Sequence, residues 1–464
     1  MENLSQLHLL GAAAILLLML VLGALSGRRV KNAADFATGG GSSGALLVAG
    51  TITGTLVGGS STIGAAQLAF HYGFSAWWFT LGGALGCLIL ALGLAKPLRA
   101  AGQGTIQQLI QKEFGPAAGL LSSVLATLGL GLNIVSQLLS ANVLLASIFG
   151  FGPLLCTLVS AACMACYVIF GGVRGTGLLG IVKTLLLSCS VLAGGAIALS
   201  LAGGPAGLLS SLPRRQYFSL FARGVGTDLG AGLSVMLGVI STQTYIQAVL
   251  SGRSLRAARG GTLLSALMIP VIGVGSILVG CYMQTVFPAM DAGQALPRFV
   301  IGNLPPFLGG IVLGTLFLAV VGTGSGLALG LSTVVTNNLY KRFHPDADSR
   351  RCLRFSRGVI LVTLALAAAF TFGNLRSAIL TWGFLSMGLR AAVLLAPMCA
   401  ALFFPGRVRP PFACASSVFG VLATLAGSLL SLPGDSLFWG VGAGVLVLGL
   451  GALPKSASGG EAEG

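Results

Sequence analysis

The side chains that most often carry chemistry are few in this chain and poorly placed for it. Its 464 residues hold ten carboxylates: Glu2, Asp35, Glu113, Asp228, Asp291, Asp346, Asp348, Asp435, Glu461 and Glu463. None falls in the middle of an apolar run, where a proton pump or carboxylate relay would need one. His8, His71 and His344 lie far apart, and no nucleophile, base and metal set stands out. Cys163 and Cys166 have the spacing of a metal pair, but Met164 and Ala165 between them continue an apolar run. Thiols there pack as small hydrophobes, and the nine cysteines imply no disulfide framework. An enzyme is disfavoured.

What the apolar runs do contain is neutral oxygen. "GTLVGGSSTIG", Gly54 to Gly64, has four glycines and four hydroxyl residues inside a stretch that should span a membrane. Glycine weakens a helix by about 1 kcal/mol relative to alanine. A broken span frees backbone carbonyls and amides, which is tolerated only where they line a cavity or are satisfied by ligand or protein. Unwound carbonyls and hydroxyls suit a sodium ion, and half-helix ends aim their dipoles at a substrate. The competing reading is close helix packing through small residues, which a chain with 71 glycines leaves open for this stretch alone. A second interrupted segment, residues 224–254, follows its glycines with the polar patch "STQTYIQ". A third polar span, residues 318–340, has Thr323 and Ser325 midway.

The elements that must position these groups are membrane helices. The chain is 55% hydrophobic and 8% charged, against about 25% charged in soluble domains, and many runs exceed the roughly 20 residues a bilayer crossing needs. The fold class is an all-α polytopic membrane protein of about thirteen transmembrane helices. Their limits are near 6–26, 43–70, 74–98, 116–148, 152–171, 176–202, 225–250, 260–287, 307–339, 356–372, 376–404, 412–432 and 436–453. The two interrupted spans stand five apart, as an inverted five-helix repeat requires. "GTIQQLIQKEF" (104–114) should lie at the interface, and 288–306 should form an extramembrane cap. The first run has no basic residues before it and positive charge after it, so it reads as a retained span and not a signal peptide.

The net charge of +16 orients the spans and does not indicate nucleic acid. With the N-terminus outside and the C-terminus cytoplasmic, nineteen basic residues fall in inside loops and five in outside loops, the bias expected of cytoplasmic loops. The loop 212–224, with three arginines, runs against it. Lys183 and Arg390 fall within spans.

Six stretches together resemble the sodium:solute symporter family, which has the LeuT-type fold: "GRRVKNAADFATGG", "GTLVGGSSTIGAAQLAFHYGFSAWWFTLG", "GTIQQLIQKEFG", "FGGVRG", "STQTYIQAVLSGRSLRAARGG" and "GTGSGLALGLSTVVTNNLYKRF". The resemblance runs to about residue 404. It implies one transporter domain over 1–454: an extra helix at 6–26, a first repeat at 43–202, a second at 225–404, two extra helices at 412–453, and a short disordered tail at 455–464. It also implies a sodium site with carbonyls at Gly54, Val57 and Ala319 and a hydroxyl at Thr323. Two positions depart from the family. Gly322 stands where a second hydroxyl ligand is usual, for which water or Ser325 could compensate. Gly180 stands where an aspartate is usual, and Lys183 follows it. Lys183 either snorkels to the inner interface or places its ammonium where a cation would sit.

The resemblance puts the solute near midplane, between the broken helices and the third core helix. By position, Ser60, Ser61, Gln67, Thr80, Asn133, Gln137, Gln243, Thr244 and Gln247 are the substrate candidates, each equally able to bond another helix. Trp77 is a gating candidate, and Arg390 either pairs with helix-end carbonyls or reaches the solute. The implied function is sodium-coupled uptake of a small polar organic solute (sugar, amino acid or carboxylate) across a plasma or inner membrane. The alternatives are a sodium-independent or proton-coupled carrier using Lys183, and a transporter-like sensor. No obligate protein partner is evident.

Overall fold

A computed structural model describes residues 5–27, 42–375, 377–430, 432 and 435–452; within helices, the side chains of 19, 20, 22–27 and 170–179 are outside the description. Asp35, Arg376, the tail 455–464 and the side chain of Arg174 therefore lie outside the described part of the chain. Among the described residues the only extended pairings are two isolated bridges, Ser43 with Gly252 and Val408 with Ala452.

The helices run in chain order as α1 (Gln6–Gly27), α2 (Ala45–Leu56), α3 (Ala65–Tyr72), α4 (Trp78–Ile89), α5 (Ala95–Ala101), α6 (Ile106–Phe114), α7 (Pro116–Phe149), α8 (Pro153–Leu201) and α9 (Gly204–Ser211). They continue as α10 (Val225–Ile240), α11 (Gln243–Ser251), α12 (Leu255–Val286), α13 (Ala295–Asn303), α14 (Pro306–Val334), α15 (Ser349–Phe372), α16 (Ile379–Phe403), α17 (Pro410–Leu429) and α18 (Ser436–Leu450). Eight helical stretches among the described residues are long and apolar enough to cross a membrane, or nine with the bent pair α10–α11. The expected count of thirteen is not reached on length and apolarity alone. Four shorter apolar helices, Gln6–Leu18, Ala45–Leu56, Pro153–Ile169 and Ser436–Leu450, are also present among the described residues.

The two expected interruptions are present. α2 stops at Leu56, Val57 is extended (φ −89°, ψ 100°), and a π-turn at Ser60–Gly64 leads into α3. α10 and α11 meet at 44° across Ser241 and Thr242, with Thr242 extended. The third polar segment is not broken: α14 continues through Val334 into a π-turn at Val335–Tyr340. The two spans expected at 152–171 and 176–202 are one helical element, α8. At 1.5 Å per residue its 49 residues would extend about 74 Å, yet Met164 and Lys183 both reach the same part of α14. The element is therefore no straight rod, and both its halves pack on α14.

α14 is the axis of the bundle. Every residue from Val312 to Val334 is buried. Small residues let its neighbours close in: a Cβ at Gly310 would meet the His8 carbonyl of α1 at 2.1 Å, and one at Gly324 would meet Met164 Sδ of α8 at 2.4 Å. The outer helices present bare hydrocarbon, including Leu366 on α15, Leu429 on α17 and Leu446 on α18, as a lipid-facing surface must. α17 and α18 cover α16: Ser417 donates to the Val393 carbonyl at 2.9 Å, and Ser416 joins the pair by donating to Gly444 at 2.8 Å.

Between the first broken helix and α4 the chain turns at Gly73, whose φ of +54° favours glycine. A Cβ there would stand 1.9 Å from the Tyr217 carbonyl, so the loop after α9 sits directly on the turn. The segment expected at the interface is an amphipathic helix, α6, capped by Thr105, whose side chain accepts from Gln108 N–H. The expected cap at 288–306 is ordered, as a 3-10 turn at Ala292–Gln294 followed by α13.

Candidate functional site

The first break creates a set of unspent carbonyls. The Gly58 amide, which a continuous helix would direct at Gly54 O, instead donates to Ser61 Oγ at 2.9 Å. Gly54 O is thereby released, and Val57 O lies beyond the helix end. Across from them, α14 offers Ala319 O and the Thr323 hydroxyl. These are the four groups that the family resemblance assigns to a sodium ion.

A side chain of the protein occupies their centre. Lys183 of α8 is buried, with 1% exposure. Its ammonium donates to Gly54 O, to Ala319 O at 2.8 Å and to Thr323 Oγ1 at 2.8 Å. The three N–H donors of an ammonium thus meet three oxygens. Thr323 Oγ1 lies 3.3 Å from both Gly54 O and Val57 O. The snorkelling expectation for Lys183 does not hold, because the side chain turns inward to helix-break carbonyls that need donors.

Both departures from the family pattern fit this lysine. A Cβ at Gly180 would meet Gly50 O at 2.1 Å, and one at Gly54 would meet the Gly180 Cα at 2.6 Å. α8 and α2 therefore touch backbone to backbone, which leaves an aspartate no room and brings Lys183 within reach. A Cβ at Gly322 would stand 3.3 Å from Lys183 Cδ, so a hydroxyl-bearing residue there would crowd the lysine. Ser325 does not replace the missing hydroxyl: it donates to Met164 O at 2.9 Å. The oxygens present fit one monovalent cation, and the ammonium uses them.

A second cluster lies one turn further along the break. Gly59 N–H donates to Gln137 Oε1 at 2.9 Å, and Gln137 Nε2 donates to Ser60 Oγ at 2.9 Å and Asn133 Oδ1 at 3.3 Å. Ser60 Oγ also bonds Ser136 Oγ at 2.8 Å, and Ser136 donates to Ile379 O at 2.8 Å. Ser60, Asn133 and Gln137 are therefore brought together, with Ser136 as a member that position alone did not single out. A Cβ at Gly58 would collide with Thr323 Oγ1 at 2.4 Å and Gln137 Oε1 at 2.7 Å, so this glycine is what lets the two clusters share the break.

The remaining substrate candidates are elsewhere or otherwise engaged. Ser61 bonds its own turn at Gly58. Gln67 accepts from Ile379 N–H at 3.1 Å, at the start of α16. Thr80 donates to Trp77 O and packs against Gly273 of α12. Gln243 is tied to the start of α6, accepting from Ile106 N–H at 3.1 Å and donating to Gly104 O at 3.0 Å. Thr244 packs on Gly330, and Gln247 lies 3.5 Å from the Thr333 hydroxyl. Trp77 is fixed by its indole N–H on Pro270 O at 2.9 Å.

Arg390 of α16 is fully buried, with 1% exposure. It donates to Ser386 O at 3.0 Å, Thr242 Oγ1 at 2.6 Å and Ser386 Oγ at 3.1 Å, and touches Met387 Sδ at 3.0 Å. Thr242 is the extended residue of the second break, so this arginine reaches the α10–α11 junction. The start of α10 holds a group that sequence reasoning missed. Asp228 is fully buried and accepts from Ser75 at 2.5 Å and from Arg223 N–H at 2.9 Å and Nε at 2.7 Å. The Arg223 guanidinium stands 5.6 Å from the Phe384 ring centroid. The available signal was a lone carboxylate opening the second interrupted segment.

The family model for the sodium:solute symporter family matches residues 36–420. Among curated proteins, the chain is 22% identical over 389 residues to the uncharacterized symporter YwcA of Bacillus subtilis (strain 168), covering 77% of this chain and 74% of that one. It is 24% identical over 428 residues to human high affinity choline transporter 1, covering 86% and 73%. Among solved structures, it is similar to a substrate-bound, outward-open Na+-coupled sialic acid symporter, with a TM-score of 0.81 at 16% identity over 97% and 98% of the two chains. MhsT in complex with L-phenylalanine gives a TM-score of 0.57 at 13% identity, over 88% and 97%. The shared architecture is the LeuT-type fold.

Proposed function

The chain belongs to the sodium:solute symporter family, and we propose that it is a secondary carrier in which the Lys183 ammonium takes the place of a sodium ion at the first helix break. It moves a small polar organic solute by alternating access, between the two broken helices and α7. The solute lies against Ser60, Asn133 and Gln137, where the first break offers hydroxyl and amide groups at bundle depth. Gln243 and Gln67 belong to the inner and outer closures. The protein sits in a plasma or inner membrane with its N-terminus outside.

The observation that carries this reading is the ligation of Lys183 by Gly54 O, Ala319 O and Thr323 Oγ1. A fixed cation tied to the hinge supplies the charge that a bound ion supplies elsewhere. Its oxygens are not available to sodium while it stays. A buried lysine that lost its proton would also lose one of the three donors, so proton-driven movement of the break belongs to the same reading.

Sodium-coupled symport is the second reading. It is favoured by the family and by the fourth oxygen, Val57 O, beside Thr323. Thermal unfolding of the purified chain in sodium, potassium and N-methylglucamine chloride separates the two. Ligand binding to the folded state raises its stability. The proposal expects equal midpoints in the three salts. A sodium-specific rise that Thr323→Ala abolishes would establish the second reading instead.

A further inference from the structure

Two cations are buried in the bundle, and among the described residues neither meets a carboxylate. Lys183 and Arg390 bond only neutral oxygens, apart from one thioether contact of Arg390. The described ion pairs are Arg223 with Asp228, at the start of α10, and Arg351 with Asp348, on the surface. Burying a charge without a counter-charge is expensive, and charged residues at membrane depth generally face a substrate path. Lys183 fills the oxygen set that the first break leaves open. Arg390 bonds Ser386, Thr242 and Met387 and meets no carboxylate among the described residues.

The position of Arg390 continues the solute cluster. Gly383 and Arg390 are seven residues apart on α16, hence on one face, and a Cβ at Gly383 would lie 3.8 Å from Ser60 Cβ. The Arg390 side chain runs back toward that end, since its Nε donates to Ser386 O. On the facing helix α7, a Cβ at Gly129 would stand 2.7 Å from Arg390 Cγ. Asn133 and Gln137 follow at the four-residue spacing of one helix face. A single polar track thus leads from Ser60 at the first break, through Gln137 and Asn133, to the guanidinium at the second.

The end of that track is built for negative charge. Arg390 Nη1 bonds Thr242, the residue before α11, so the guanidinium stands at the start of a nine-residue helix. Thr242 makes no side-chain cap to the α11 amides. The neighbouring Ser241 hydroxyl is fully buried and has no hydrogen-bond partner. A helix start carries partial positive charge and free N–H donors, and the second N–H of Arg390 Nη1 is left for a charge-assisted bond to an anion. We propose that the transported solute is a small organic carboxylate whose anionic group docks between Arg390 and the start of α11, with its polar remainder toward Asn133, Gln137 and Ser60. The proposal rests on the carrier reading for the solute's location but not on how transport is driven.

The test is thermal unfolding of the full chain in detergent with matched pairs of probes: acetate, propionate, lactate, pyruvate and benzoate against their amides. Both are run in sodium and in N-methylglucamine media. At least one carboxylate should raise the midpoint while its amide does not. Arg390→Gln should remove the effect, and Arg390→Lys should keep it at a higher half-saturating concentration, roughly ten- to a hundredfold, as one lost charge-assisted bond implies. Protection by amides equal to their acids, protection by no carboxylate in the set, or full carboxylate response in Arg390→Gln would overturn the proposal. If Arg390→Gln does not fold, the acid–amide comparison on the unaltered chain and Arg390→Lys still decide. Sodium dependence of a carboxylate response would count against the Lys183 reading alone.

Discussion

Gly322 and Lys183 are shaped to one another: a Cβ on the glycine would stand 3.3 Å from Cδ and 3.5 Å from Nζ of the lysine. A side chain at position 322 and the buried lysine therefore compete for one space. Gly322→Ser should crowd the ammonium and destabilise the fold by about 1–3 kcal/mol, as overpacking does. In combination with Lys183→Ala the penalty of the serine should largely vanish. A double-mutant cycle in thermal or denaturant unfolding checks this, and additive penalties would mean the two positions do not interact.

Gly180 tests the contact that delivers the lysine. Its missing Cβ would lie 2.1 Å from Gly50 O, and backbone cannot move aside as a side chain can. Gly180→Ala should force α8 from α2, lower stability by about 1–3 kcal/mol and lengthen the bonds of Lys183 to Gly54. A midpoint unchanged from the parent would show that the helices have slack.

Gln137 holds the first break to α7 through Gly59 N–H and Ser60. Gln137→Ala leaves a buried amide without an acceptor, a cost of about 1–3 kcal/mol. Its larger effect should be on transport, with uptake lost in vesicles that contain correctly folded protein. Gln67→Ala, which frees only the Ile379 amide at the start of α16, should retain the same solute affinity. Equal loss in both would place the solute elsewhere.

The fold was legible in outline. Apolar run length placed most of the helices to within a few residues, because α7, α15 and α16 end at proline, glycine or charged punctuation. Both interruptions were readable from clustered glycine and hydroxyl residues. The joining of 152–171 to 176–202 was not, because "GGVRGTG" reads as loop punctuation while the backbone there remains helical. For the site, residue type and position named Ser60, Asn133, Gln137, Lys183 and Arg390 without telling direction. Whether Lys183 faced lipid headgroups or the break depended on Gly180 and Gly50 meeting, a contact between residues far apart in sequence. Gln243 and Gln67 have the same chemistry but bond main-chain groups of Ile106, Gly104 and Ile379, which only packing distinguishes.

Asp435 gives a pH signature outside the membrane spans. Burial pushes its carboxyl above the ordinary value of 3.8, against the opposing pull of hydrogen bonds from Leu437 N–H and Ser234 and the charge of Arg223. A carboxyl raised in the folded state contributes stability that is present below its unfolded value and lost as pH rises through the folded one. Asp435→Asn keeps the cap acceptor and removes that charge. The variant should match or exceed the parent's midpoint at neutral pH and lose the gain on acidification toward pH 3.8. A parent curve that falls over that interval, with the variant's unchanged, would contradict the account.

The central claim is that an ammonium replaces sodium at the first break, and equilibrium binding of radiolabelled sodium to the purified chain tests it most directly. The account predicts no saturable sodium binding to the parent protein. It also predicts that a site appears in the Lys183→Ala, Gly322→Ser double variant, where the oxygens of Gly54, Val57, Ala319 and Thr323 are joined by a second hydroxyl. Saturable sodium binding to the parent that Thr323→Ala removes would contradict it.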